Sequence, residues 1–270
     1  MVRIPEKIPV IEKRFNFWRS VPMRFHPSVI IFDVDGVLVD TRGSFQRTTL
    51  ETVEFFVGKR VSHRELHRWK NHPGFNDDWK LSTAWVNALG KNVGYEEVKK
   101  KFVEIYWGQN GKGNAAGEKW LLPAANLRRL AKLAELTVFT GRVRRELDYT
   151  LDRWKVRDFF QKIVTVENVK RPKPAPDGLL QILNGRDPSV ALYLGDNVDD
   201  ALAAKAANMP FVGILPRQSE ERRQRGALLR KLGALTILSD ISELEPWLKK
   251  ASPRQNLPIT SDLHRNRTKS

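Results

Sequence analysis

Short apolar runs, each followed by a polar segment, set the pattern of this chain from residue 29 onward. Three of the runs, at residues 29–32, 136–139 and 190–194, are four or five residues long and consist mainly of aliphatic, β-branched and aromatic types. Such runs are typical of strands buried on both faces of a parallel sheet. We therefore predict an α/β fold with a doubly wound parallel sheet, and we expect the polar segments to meet at the carboxyl edge of its strands.

The stretch from residue 44 to residue 107 has a different period. Its apolar residues recur near helical spacing in two places: Phe45, Leu50, Val53, Phe56 and Val57 in the first, and Val98, Phe102, Val103 and Tyr106 in the second. This spacing predicts helices. Residues 108–117 are glycine-rich and too irregular for a helix or strand, so we interpret them as a hinge, and a second hinge is expected at residues 41–44.

The first apolar run ends in Asp33 and Asp35, with Gly36 directly after them. Alternate residues of an extended chain share a face, so the two carboxylates are expected on the same side. Like charges that close repel each other and favour a nearby cation. Mg²⁺ prefers oxygen ligands and is the most plausible cation here. A pair of aspartates with this spacing is also frequent in surface loops, so the pair alone decides little.

Three later polar segments offer groups that suit a phosphate or a metal ion. They comprise Thr140, Gly141 and Arg142 after the second run, Lys173 between two prolines, and Asp196, Asp199 and Asp200 after the third run. A hydroxyl and an approachable backbone amide can bind phosphate oxygens, and prolines fix the direction in which a lysine side chain leaves the backbone. Each segment alone also fits an ordinary turn, a solvated loop or an acidic helix cap.

Taken together and in this order, these motifs resemble those of the haloacid dehalogenase superfamily of phosphotransferases, which use an aspartate nucleophile. The resemblance covers residues 28–247. It rests on Asp33-Val34-Asp35-Gly36-Val37, on Thr140-Gly141-Arg142, on Lys173 before Pro174, and on Gly195-Asp196 with Asp200 four residues later. It implies a Rossmann-like core with an inserted α-helical cap, as in subfamily IA members related to phosphoglycolate phosphatase and β-phosphoglucomutase.

The resemblance also implies a role for each residue. Asp33 is the nucleophile that forms a transient aspartyl-phosphate, and Asp35 is the general acid and base. Mg²⁺ is held by Asp33, by the backbone carbonyl of Asp35 and by Asp196. Thr140 and Lys173 act in catalysis and, with Gly141 and Arg142, hold the phosphate oxygens. Asp200 orients Lys173 or a metal-bound water, and Asp199 is a weaker candidate for such a supporting role.

The implied domain organisation places a core at residues 28–43 and 118–250, a helical cap at residues 44–117, an N-terminal extension at residues 1–27 and a basic tail at residues 251–270. The turn-rich stretch at residues 70–80 is predicted to face the core and to read the leaving group of the substrate. The candidate side chains for that role are Lys70, Asn76, Asp77 and Trp79, with Arg42 or Arg47 adding positive charge. An ordinary solvated connection between helices is the alternative.

Composition narrows the function further. The 270 residues contain no cysteine, which excludes a thiol nucleophile and a disulfide framework. No apolar stretch approaches the length of a membrane span, and the N-terminal segment lacks the apolar centre of a signal peptide, so we expect a soluble cytoplasmic enzyme without a membrane partner. The oligomeric state cannot be read from the sequence.

The net charge of +16 favours anionic partners, either phosphate esters or polynucleotides. Much of the excess lies outside the motifs, in the tail and in a predicted helix at residues 217–231 whose face we expect to be solvated. We favour a Mg²⁺-dependent phosphatase that hydrolyses a small metabolite phosphate monoester. A phosphomutase with the same motifs remains open, and a protein that binds nucleic acid or processes its ends is the less favoured reading.

Overall fold

The computed structural model describes residues 25–217 and 221–251. A six-stranded sheet, entirely parallel, runs through the centre of this part of the chain in the order β5-β4-β1-β6-β7-β8. Its strands are β1 (Val29–Phe32), β4 (Glu135–Phe139), β5 (Lys162–Val164), β6 (Ala191–Gly195), β7 (Phe211–Ile214) and β8 (Thr236–Leu238). The order reverses direction around β1, and ligands of open α/β sheets bind at such a point.

Apolar residues of successive positions in β1 point to opposite faces of the sheet, as the two-residue period of a strand requires. Ile30 and Phe32 pack into one apolar core, and Val29 and Ile31 pack into another on the other face. Both faces are covered by helices: α5 (Ala124–Ala131), α6 (Arg144–Trp154), α7 (Asp177–Leu183), α8 (Val198–Ala206), α9 (Glu221–Lys231) and α10 (Leu244–Ala251). The doubly wound parallel sheet predicted from the apolar runs is therefore confirmed.

Four helices follow β1 in the chain and pack on one another: α1 (Phe45–Val57), α2 (His63–Lys70), α3 (Asp78–Ala88) and α4 (Tyr95–Trp107). We call these residues, 45–107, the helical unit. It has its own apolar clusters, one around Trp69 and Trp85 and another around Phe102 and Tyr106. Aromatic pairs such as Phe45 with Tyr106, whose ring centroids lie 4.5 Å apart, add to the packing of the second cluster.

Two linkers join the helical unit to the sheet, and they run beside each other. The short strands β2 (Val39–Asp40) and β3 (Lys119–Trp120) pair antiparallel just outside the unit. Gly43 and Gly117 lie so close that a Cβ atom on either one would collide with the backbone of the other. Glycine is needed at this crossing because only a residue without a side chain permits so short an approach.

The N-terminal extension and the basic tail predicted from the sequence lie almost wholly outside the described residues, so their boundaries stay predictions. Among the residues that the structure describes, no helix is both long and apolar enough to span a membrane.

Candidate active site

The polar segments singled out in the sequence meet at one edge of the sheet because their strands are neighbours. Strands β4, β1 and β6 lie side by side in register, so the residues that follow them converge. Asp33 and Asp35 follow β1, Thr140 follows β4, and Asp196 follows β6. A loop after β5 brings Lys173 to the same place, where its side chain is buried between carboxylates.

Lys173 lies at the centre of a buried ion-pair network. Its Nζ donates to Oδ1 of Asp33 and to Oδ1 of Asp200, at 2.8 Å in both cases. The hydroxyl of Tyr193 donates to the same Asp200 oxygen at 2.7 Å. Burial lowers the pKa of Lys173, but the two carboxylates outweigh it and raise that pKa above its ordinary value. The lysine therefore carries a fixed positive charge beside Asp33.

Asp33 is almost completely buried, and burial raises its pKa well above the usual range for an aspartate. Oxygens of Asp33, Asp196 and Asp200 lie within 4.8 Å of one another. Burial also raises the pKa of Asp196, to about 6. Three crowded carboxylates of this kind form a hard oxygen site that suits a small divalent cation, whose charge would reverse the rise in pKa. The donor set therefore fits Mg²⁺.

Gly36 shapes the same cluster from the β1 side. Its φ is +74°, a left-handed conformation that favours glycine. A Cβ atom there would collide with the carboxyl group of Asp196. The glycine after the two aspartates is thus required by the close approach of the β1 and β6 loops.

Arg142 holds Asp35 in a second buried network. Its Nε and Nη2 donate to Oδ1 of Asp35 at 3.0 and 2.7 Å, and Nη2 also lies 2.8 Å from Oε1 of Glu118. The guanidinium stacks over the ring of Phe45, 4.8 Å from its centroid. The guanidinium of Arg142 thus shares its charge between two carboxylates, those of Asp35 and Glu118.

A loop of the helical unit docks on the core through backbone groups. The carboxylate of Asp199, at the start of α8, accepts hydrogen bonds from the amide of Gly74 at 2.9 Å and from that of Asn76 at 3.2 Å. Burial raises the pKa of Asp199 to about 6, against the effect of these two donors. The contact joins this loop of the helical unit to the core beside the cavity.

The loop then leads into α3 through an N-cap. The side chain of Asp77 accepts from the backbone amides of Trp79 at 2.9 Å and Lys80 at 3.1 Å. Nζ of Lys70 pairs with Asp78 at 2.8 Å. Asp77 therefore fixes the start of the helix, and Lys70 is a neutralised cation in the wall of the site.

A cavity of about 220 Å³ lies between the helical unit and the carboxyl edge of the sheet. The predicted residues that line it are Asp35, Lys70, Asn76, Asp77, Trp79, Thr140, Gly141, Arg142, Lys173 and Asp196. The structure thus brings together the phosphate-binding and leaving-group candidates from opposite walls. Asp33, Asp199 and Asp200 lie immediately behind this lining and contact it through Lys173 and the loop.

Two predicted cations are corrected by the structure. Arg47 points away from the cavity and pairs with Glu51 one helical turn later at 2.8 Å, because its position in α1 lies on the exposed face. Arg42 pairs with Asp40 at 2.6 Å and is also exposed. Neither lines the cavity, so neither is placed to read the leaving group.

Residues without a motif complete the cavity wall. Gln46, Glu146 and Arg225 all line it. Arg225 corrects the expectation of a solvated face for the basic helix, since it is buried, donates to Oδ1 of Asn71 at 3.0 Å and lies 3.7 Å from Asp196. Helical residues of this kind carry no spacing signal that a single sequence reveals.

Comparison with known proteins gives the family. The model of the haloacid dehalogenase-like hydrolases matches residues 30–214. A phosphoglycolate phosphatase of Pseudomonas putida is 33% identical over 202 residues, which cover 70% of this chain and 69% of that protein. An imidazoleglycerol-phosphate dehydratase of Phytophthora nicotianae is 27% identical over 83% of this chain, which spans only 53% of the length of that relative.

Among solved structures, a haloacid dehalogenase superfamily hydrolase of subfamily IA from Geobacter sulfurreducens superposes with a TM-score of 0.55 at 22% identity, covering 82% of this chain and all of the other. At that identity the likeness shows the fold alone. The family match, which spans more than half of the residues, carries the assignment. The chain belongs to the haloacid dehalogenase-like hydrolases and is an enzyme of their phosphatase type.

Proposed function

We propose that the chain is a Mg²⁺-dependent phosphatase that hydrolyses a small phosphate monoester through an aspartyl-phosphate on Asp33. The observation that carries the proposal is the buried contact of Asp33 with Lys173 beside the carboxylates of Asp196 and Asp200. In this arrangement the proposed nucleophile has a positively charged neighbour and carboxylates that suit a cation, which supports the proposal. Phosphoryl transfer needs these elements because most of its catalysis is positioning and charge stabilisation.

In the proposed first step, a carboxylate oxygen of Asp33 attacks the phosphorus and the bond from phosphorus to the ester oxygen breaks. Asp35 gives its proton to the departing alkoxide, and Arg142 holds the carboxyl group in place for that transfer. Lys173, Thr140 and the backbone at Gly141 bind the phosphoryl oxygens as charge builds on them.

In the second step, water attacks the phosphorus of the aspartyl-phosphate, Asp35 accepts a proton from that water, and inorganic phosphate is released. Asp33, Asp196 and the backbone carbonyl of Asp35 are the proposed ligands of Mg²⁺, with Asp200 close enough to support them. The bound cation supplies Lewis-acid stabilisation of the phosphoryl oxygens.

A small substrate is favoured because the cavity is closed on one side by the docked loop of the helical unit. A phosphomutase would use the same residues in the first step but would return the phosphoryl group to a second substrate hydroxyl. The two functions differ in their product, since only the phosphatase releases inorganic phosphate in proportion to substrate consumed.

The test is phosphate release from p-nitrophenyl phosphate and from a panel of metabolite monoesters, with Mg²⁺ and with excess chelator. We expect turnover that requires Mg²⁺ and falls by at least about a thousandfold in Asp33→Asn. Acid quenching of the unmodified enzyme should trap phosphate on the peptide that contains Asp33. Asp187→Asn, an aspartate that caps a distant turn, is the matched control and should keep its activity.

Parental turnover by Asp33→Asn would contradict the proposal. An isomerised product without inorganic phosphate would favour the mutase. Absence of turnover on every ester, together with salt-sensitive binding to a polynucleotide, would favour the nucleic-acid reading.

A further inference from the structure

The basic side chains that line the cavity all lie within ion-pair distance of a carboxylate. Five basic side chains line it, and each has a carboxylate partner. The pairs are Lys70 with Asp78, Lys80 with Asp77, Arg142 with Asp35 and Glu118, Lys173 with Asp33 and Asp200, and Arg225 with Asp196. Among the described residues, a leaving group that carries a carboxylate would therefore compete with a protein carboxylate for each of these side chains.

Glu146, in contrast, is an acidic side chain of the cavity wall that has no ion-pair partner among the described residues. It lies in the first turn of α6, lines the cavity and is 5% exposed. It makes no ion pair with the described part of the chain, and its basic neighbour Arg142 is committed to Asp35 and Glu118. Burial raises the pKa of Glu146 to about 8, against the lowering effects of the Arg142 charge and of a hydrogen bond from the backbone of Val143.

Gln46 adds an acceptor that lacks a donor. Its Oε1 is buried and has no hydrogen-bond partner within the described chain, while its Nε2 lies 3.5 Å from Oγ1 of Thr41. Gln46 lines the same cavity as Glu146, from the side of the helical unit. An unsatisfied buried acceptor costs free energy that a ligand donor can recover.

These two side chains favour one class of leaving group. An ammonium group has three donors, no acceptor and a positive charge, so it can satisfy Gln46 and give Glu146 the cation it lacks. A hydroxyl group can supply a hydrogen bond but no charge. A carboxylate supplies no donor to Gln46 and no positive charge to an ionised Glu146. We propose that the substrates are phosphate esters of amino alcohols, with Glu146 and Gln46 receiving the amino group.

The proposal rests on the phosphatase function proposed above and goes further by naming the substrate class. It is tested with two-carbon esters that differ only in the group beyond the ester: phosphoethanolamine, 2-hydroxyethyl phosphate and phosphoglycolate. We expect kcat/KM for phosphoethanolamine to exceed that for 2-hydroxyethyl phosphate by at least about tenfold, and phosphoglycolate to be the poorest substrate. p-Nitrophenyl phosphate reports the underlying phosphatase activity.

Glu146→Gln keeps the shape of the side chain and removes its charge. The ratio of kcat/KM between phosphoethanolamine and 2-hydroxyethyl phosphate should fall to near unity in this variant. Asp152→Asn is the matched control, because Asp152 belongs to the same helix but is exposed and pairs with Arg157 outside the cavity. Gln46→Leu should lower kcat/KM for phosphoethanolamine without removing the effect of charge.

Two kinds of failure are distinguishable. Three results would overturn the substrate class and leave the phosphatase function standing, provided that p-nitrophenyl phosphate is turned over. Phosphoglycolate could be the preferred substrate, 2-hydroxyethyl phosphate could equal phosphoethanolamine, or the preference for phosphoethanolamine could survive Glu146→Gln. No turnover of any ester in the presence of Mg²⁺ would overturn both.

Discussion

At the scale of single residues, the site contains several carboxyl groups whose pKa is raised by burial. Asp33, Asp196, Asp199 and Glu146 all have a pKa above the ordinary range, and burial is the main cause in each case. Strong shifts of this kind cluster at functional sites, because catalysis and binding need buried charged groups. The cost of holding them is borne by the folded state and should be visible in its stability.

Glu146 gives the clearest pH dependence. Its folded pKa of about 8 lies above the ordinary value of 4.5 for a glutamate, so the folded state binds more protons than the unfolded state between these values. Its contribution to stability is therefore fully present below about pH 4.5 and is lost as the pH rises through 8. We expect the Tm of Glu146→Gln to rise relative to the parent between pH 5 and pH 8.5, measured by calorimetry with Asp152→Asn alongside. An unchanging difference in Tm would contradict the assigned shift.

Lys173 gives a prediction about charge at the nucleophile. Lys173→Met keeps much of the length of the side chain but leaves Asp33 and Asp200 without their buried cation. We expect kcat/KM to fall at least about a hundredfold, since a charge that stabilises the transition state is removed. Steady-state assays on p-nitrophenyl phosphate test this, and Lys162→Met, a half-buried lysine outside the cavity lining, serves as the control. Equal losses in the two variants would point to a general effect on folding.

At the scale of elements, one contact between the helical unit and the core joins a carboxylate to two backbone amides. Asp199→Ala removes the acceptor for Gly74 and Asn76. We expect kcat/KM to fall about tenfold or more, because the loop no longer stays over the site. Hydrogen exchange at the amides of residues 74 and 76 should accelerate in the same variant. Asp187→Asn is the control, and unchanged exchange at both amides would contradict the closing role.

The crossing of the two linkers gives a second prediction at this scale. Gly117→Ala would place a methyl group against the backbone of Gly43. We expect the free energy of unfolding to fall by about 1–3 kcal/mol, the range for forced overpacking. Gly94→Ala is the control, since Gly94 has an ordinary negative φ and open space around it. Denaturant titration of both variants measures the difference, and equal midpoints would show that the linkers can separate without cost.

The residues of the site that could be predicted from the sequence are those that lie at the ends of strands. Asp33, Thr140 and Asp196 come together because each directly follows a buried apolar run, and parallel strands deliver their ends to one edge. Glu146 and Arg225 could not be found in this way, because helical positions reveal a site only once packing is known. Arg47 was misplaced for the same reason, since the helical period gives a face but not the direction of the cavity.

At the scale of the whole molecule, the net charge of +16 contrasts with the balanced charges of the cavity wall. The excess therefore acts at long range, where it attracts anionic phosphate esters to the surface. We expect kcat/KM to fall several-fold between roughly 20 and 200 mM ionic strength, while kcat changes little, because salt screens the approach but not the buried contacts. Two different inert salts at the same ionic strength should give the same decrease in kcat/KM, which stopped-flow or steady-state assays can establish. A kcat/KM independent of salt would assign the basic surface another role.

The contact of Asp199 with the helical unit has a consequence for how such enzymes diversify. It uses the amides of residues 74 and 76 rather than any side chain of the loop, and of the two positions only residue 74 requires glycine, because its φ is +88°. The loop can thus keep these hydrogen bonds to Asp199 while the side chains that it presents to the cavity are exchanged. Substrate preference can therefore change through a few substitutions in the loop that leave its backbone hydrogen bonds to the core intact.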